Sequence, residues 1–129
     1  METKVYNISE LHFEHRLWKS EMKIILGELN VYQEWLSSIS LKSYNIEFQK
    51  KINHFQNKFD IQRKHFDSFN DRINAQDSYM ESLEKISDND ISDQNIADHT
   101  NLRADINVAL GLYKELKKEY VSFARTAKF

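Results

Sequence analysis

The chain has 129 residues and a mass of 15.4 kDa, with 40% apolar and 29% charged residues, no cysteine, no proline and two glycines. That length is one domain, and the missing cysteine excludes a disulfide scaffold, thiol catalysis, Fe–S clusters and cysteine zinc sites. Two isolated glycines cannot build a tightly turned β-fold or a phosphate-cradling loop, and a net charge of −2 leaves no global nucleic-acid footprint.

The first predicted element begins near residue 8, where Asn7 followed by Glu10 reads as a capping box. Leu11, Trp18, Ile25, Tyr32 and Ile39 form one row of an apolar seam, and His15, Met22, Leu29 and Leu36 form a second row four residues on. Alternating steps of three and four make a buried helical stripe. Serines 37, 38 and 40 end it, giving a helix over about 8–38.

A second seam runs Phe48, Ile52, Phe55, Phe59, Gln62, Phe66, Phe69, Ile73, Gln76, Met80, Leu83 and predicts a helix over about 43–87. Poor helix formers at 67–74 offer an alternative, in which the helix breaks and the chain forms a four-helix bundle. The acidic run 87–93 is the next turn. The third helix, about 92–126, places Leu102, Ala109, Leu116 and Phe123 beside His99, Ile106, Tyr113, Tyr120 and Ala127, with Lys114, Lys117, Lys118, Arg125 and Lys128 at its C-terminal end.

Seams spaced close to seven residues predict coiled-coil-like packing, and short turns make neighbours antiparallel. The expected fold is an elongated antiparallel three-helix bundle, one all-α domain over 1–129. Folding at the two turns sets position n of the first helix opposite about 82 − n of the second, and n of the second opposite about 177 − n of the third. In that register Gly27 lies level with Phe55 and Gly111 with Phe66, each glycine making room for a ring.

Polar residues interrupt the seams. The same register groups His15 with Gln62, His65 and Tyr113, and Gln76 with His99, as two hydrogen-bonded layers in the core. Sharper chemistry would be a metal site through His12 and His15, three apart on one helix face, joined by His65. No acidic residue stands three before or four from any histidine, so the Glu-x-x-His pattern of di-iron bundles is missing. The expectation is therefore no metal and no cofactor, with a metal- or ligand-binding bundle as the alternative function.

No Gly-x-Ser-x-Gly elbow or other nucleophile context occurs, so an enzyme is not expected. No signal-peptide-like apolar run or span of about 20 apolar residues occurs, so a cytoplasmic protein without membrane contact is expected. Charge is polarised: residues 16–65 with 112–129 carry about +7, and the remainder about −9. Lys50, Lys51, Lys58, Lys64, Lys117 and Lys118 form a candidate basic face, but few exposed aromatics accompany it, which argues against nucleic acid. Phe13, Trp35 and Tyr44 fall off or at the margin of the seams and suggest an interface. The expected function is a non-enzymatic structural or protein-interaction module with a protein partner or a second copy.

The segment His12-Phe13-Glu14-His15-Arg16-Leu17-Trp18-Lys19-Ser20-Glu21 resembles the opening helix of small all-helical bacterial proteins of unknown function. That resemblance implies no activity or cofactor. The long helices and tryptophans are similar in outline to spectrin-type repeats, which implies architecture alone.

Overall fold

The computed structural model describes residues 8–85 and 91–127, with backbone only at 83–85. Three helices and no strand occur among the described residues: α1 (Ile8–Ser40), α2 (Ile46–Lys85) and α3 (Asp93–Thr126). They form a three-helix bundle in which α2 packs closely against both neighbours. At 1.5 Å per residue the 40-residue α2 is about 60 Å long.

Each boundary has a local cause. Gln49 donates from Nε2 to the carbonyls of Ser40 and Ser43 at 2.7 Å each, tying the end of α1 to the start of α2. Asn45 caps α2 by accepting from the Phe48 N–H at 3.0 Å. Ser92 caps α3, its hydroxyl accepting from the Asn95 N–H at 3.2 Å. The expected capping box at Asn7, residues 87–90 of the acidic turn, and Lys128 lie outside the described residues.

α2 is continuous across 67–74, so the four-helix alternative does not hold. The weak helix formers there are held by tertiary contacts: Phe69 and Ile73 are buried, Lys19 donates to Asn74 at 2.5 Å, and Arg72 pairs with Asp105 at 2.9 Å. Packing supplies what propensity withholds.

The register of α1 against α2 differs from the sequence reading. Gln33 bonds Asp60, Arg63 bonds Asn30, and Gln56 bonds the Ser37 hydroxyl, so n on α1 faces about 93 − n on α2, three turns from the expected 82 − n. The first turns of α2 run past the end of α1, and Phe48 stacks on Phe123 of α3 with ring centroids 5.4 Å apart. Between α2 and α3 the expected register of about 177 − n is observed, as Arg72–Asp105 and Phe66–Tyr113 show. α1 and α3 run parallel and meet through large side chains, Trp18 on His99 and Tyr32 on Tyr120.

The shift removes the steric account of the glycines. Both Gly27 and Gly111 are exposed, and a Cβ built on either meets no other part of the fold within 4 Å among the described residues. Neither makes room for a phenylalanine.

The core is a column from Trp18 to Ile39 on α1, Ile52 to Ile73 on α2 and Leu102 to Phe123 on α3. A second, small cluster of Ile8, Leu11 and Met80 lies towards the other end. Between the two sits a layer of polar side chains.

Candidate functional site

That layer draws on all three helices. On α1, His12 and His15 stand three residues apart, one position either side of the face that turns to α2; Gln76 and Asp77 come from α2, and His99 from α3. His15 is wholly buried and His99 is 1% exposed. His15 Nδ1 donates to Asp77 Oδ1 at 2.6 Å, and His12 Nδ1 reaches the same oxygen at 3.1 Å. On its other side His15 Nε2 lies 2.9 Å from Gln76 Oε1 and 3.1 Å from His99 Nδ1, and His99 Nδ1 lies 3.1 Å from the same Gln76 oxygen.

His99 Nε2 donates to Glu14 Oε1 at 2.5 Å, and Arg103 clamps Glu14 with Nε and a terminal nitrogen at 3.0 and 2.6 Å. The result is a chain of carboxylate, imidazole, imidazole and carboxylate across the bundle, floored by Trp18, whose ring stacks on His99 at 5.1 Å. Each buried nitrogen of the two histidines lies within 3.1 Å of another polar atom. Burial lowers the affinity of His99 for a proton more than Glu14 raises it, so its imidazole is held below the ordinary histidine range. Burial works to raise the Glu14 carboxyl, but the hydrogen bonds from Arg103 and His99 outweigh it and hold that group below the usual carboxylate range.

One edge of the layer is open. His12 and Asp77 side chains are 28% and 25% exposed, and His12, His15 and Asp77 each offer one ligand atom, all within 4.8 Å of one another. Lys19 stands beside them, 4.0 Å from Asp77 Oδ2.

The sequence grouping of polar residues is thus rearranged. His15 joins Gln76 and His99, not Gln62, His65 and Tyr113. His65 is exposed and lines the α2–α3 groove with His54, Lys58, Ile61, Leu112 and Glu119, so it cannot complete a set with His12 and His15. Gln62 is buried in the same groove with its Oε1 unpartnered among the described residues. Tyr113 donates to Glu28 at 2.8 Å, and Glu28 also binds Lys117 at 2.6 Å. Burial and the Glu28 carboxylate together raise the Tyr113 hydroxyl above its usual range, and burial pushes Tyr120 up to about 12.

Asp77 and Glu14 were missed because helical spacing around each histidine carries no acid; both carboxylates arrive from a different helix than the histidine they bind in the core. The lone sequence signal was Gln76 on the α2 seam, one residue from Asp77.

Lys117 is drawn onto Glu28, Lys58 shares its groove with Glu115 and Glu119, and Lys51 lines a hollow beside Glu47 and Phe48, while Lys50, Lys64 and Lys118 are exposed. Trp35 packs edge-on against Tyr120 at 5.9 Å and belongs to its own core, so it leaves the list of interface aromatics. Phe13 remains 62% exposed and Tyr44 99%.

A second feature lies on the outside of α1. Leu17, Ile24 and Val31 repeat every seven residues and are exposed, and Phe13, Ser20 and Gly27 repeat at the same interval between them, also exposed. This is a heptad seam on the outer side of α1, with Gly27 at its edge, where it also borders a hollow of the α1–α2 groove with Lys23, Asn30, Phe66 and Asn70. Among the described residues no helix is long and apolar enough to cross a membrane. Comparison with protein-family models, curated proteins and solved structures finds no match for the chain.

Proposed function

We propose that the protein is a non-enzymatic interaction module whose partner is a second copy of itself, docked antiparallel along the outer seam of α1. The observation that carries this reading is Gly27. A glycine inside a helix costs about 1 kcal/mol relative to alanine, and here a Cβ would meet no other part of the fold within 4 Å among the described residues. On an exposed apolar seam, a missing side chain lets another helix approach closely.

Charge selects the occupant. In the observed register, residues 28–65 with 112–127 carry about +4, and residues 8–27, 66–85 and 91–111 about −5. Antiparallel docking sets each end against its opposite. A two-fold axis near residues 25 and 26 lays Ile24 over Gly27 of the partner subunit and brings Arg16 beside Glu34 of the partner subunit, a self-complementary interface.

Sedimentation of the untagged chain over a concentration series tests the proposal. The expected result is a dimer that weakens with salt and becomes a monomer on Ile24→Glu, with Ile61→Glu, in the α2–α3 groove, without effect. A monomeric mass at millimolar concentration, or a dimer indifferent to Ile24→Glu, refutes it.

A further inference from the structure

We propose that His12, His15 and Asp77 form a binding site for one divalent transition-metal ion of the zinc type. Two imidazole nitrogens and one carboxylate oxygen are a donor set suited to zinc and its neighbours in the first transition row, and poorly suited to magnesium or calcium. Three protein ligands with a remaining position towards solvent is the pattern of an open, four-coordinate zinc site. The quarter exposure of His12 and Asp77 supplies that opening, and the full burial of His15 supplies the fixed wall behind it.

The distances fit. Zinc bonds of about 2.0–2.2 Å in tetrahedral geometry place ligand atoms roughly 3.3 Å apart. His12 Nδ1 is 3.1 Å from Asp77 Oδ1, so that pair is already spaced for a shared ion. His15 Nδ1 and Asp77 Oδ1, 2.6 Å apart across a proton, must separate by about 0.7 Å when the ion takes the place of that proton. Rotation of the partly exposed Asp77 side chain provides this without moving a helix.

The support behind the ligands is in place as well. A metal-bound histidine donates its other ring N–H to an oxygen, which fixes the ring and its tautomer. With Nδ1 of His15 on the ion, the proton resides on Nε2, and Gln76 Oε1 waits 2.9 Å from it. The remaining contact of Nε2, His99 Nδ1, is itself anchored through Nε2 to Glu14 and Arg103. The ion would join α1 to α2 beside the small Ile8, Leu11 and Met80 cluster, where the apolar core is thinnest. Lys19 opposes binding, and its bond to Asn74 holds it to one side.

Calorimetric titration of the untagged, full-length chain with Zn²⁺, and visible spectroscopy with Co²⁺, test the site. Expected are one ion per chain, the intense visible bands of four-coordinate Co²⁺, and a rise in melting temperature with Zn²⁺. His12→Ala and Asp77→Asn, at partly exposed positions, keep the helical circular dichroism and each weaken binding at least tenfold; Gln76→Leu weakens it by about tenfold through His15. His65→Ala changes nothing. Absence of stoichiometric binding, an affinity unchanged from the parent chain in His12→Ala or Asp77→Asn, or loss of binding in His65→Ala overturns the assignment. The site faces the α1–α2 groove and not the outer seam of α1, so its outcome is independent of the dimer.

Discussion

Replacing the two glycines by alanine separates intrinsic helix stability from association. Each glycine sits inside a long helix, at 27 in α1 and 111 in α3, and neither has the positive φ that would penalise a side chain. Each new methyl meets no other part of the fold within 4 Å among the described residues. Gly111→Ala should therefore gain the full propensity difference, about 1 kcal/mol. For a chain of this size that is a rise of roughly 3–5 °C in melting temperature. Gly27→Ala gains the same in the monomer, and because the two sites share no partner the double variant adds them, to about 2 kcal/mol. The outcomes diverge when chains associate: the methyl at 27 stands where Ile24 of the partner subunit would lie, so Gly27→Ala weakens the dimer about tenfold, roughly 1.4 kcal/mol. Gly111→Ala leaves it intact. Urea unfolding followed by far-UV circular dichroism, at a dilution where the chain is monomeric, gives the first quantity, and sedimentation gives the second. A fall in monomer stability for either variant refutes the claim that these positions are sterically open; undiminished association of Gly27→Ala refutes the role given to its missing side chain.

Acid should unfold the protein in two stages. His99 is held below its ordinary value near 6.5, so folding favours the neutral ring, and the stability this contributes is complete above that value and lost as pH falls through the lowered one. Glu14 and Glu28 are both held below 4.5; their contributions are complete above that value and lost as pH falls further. Urea midpoints measured from pH 8 to 3 should decline below about 6.5 and more steeply below 4.5, and Glu14→Gln should flatten the lower limb; a midpoint that rises between pH 7 and 5.5 contradicts the burial of neutral His99. In the α2–α3 groove, Gln62→Met keeps the volume while removing an orphaned acceptor, and a stabilisation of about 1 kcal/mol is expected in the same urea assay. A loss of stability there would mean that Gln62 Oε1 is satisfied in solution.

Several features were legible from residue order alone. The three seams, the poverty of glycine and proline, and the serine- and acid-rich turns dictate long amphipathic helices joined by short connections, because a 3.6-residue helical period leaves only one stripe to bury. The polar identity of His15, Gln62, Gln76 and His99 on those stripes already required hydrogen-bonded layers in the core, although the expected register put His15 with Gln62, His65 and Tyr113 and Gln76 with His99 in separate ones. What sequence could not set was the register of α1 against α2. Seams that repeat in steps of three, four and seven present apolar residues to apolar residues at many offsets, so sliding α1 by 11 residues, one step of four and one of seven, changes which pairs meet but not whether they are apolar. Only the assembled bundle discriminates among those offsets. There Gln49 bridges the end of α1 to the first turns of α2, and Asp77, Gln76 and His99 satisfy His15 from two helices at once. Polar atoms must find partners at particular distances, whereas apolar contact tolerates a slide. The tertiary structure therefore decided where the histidines stand, that His65 is excluded from them, and that the two glycines face outward.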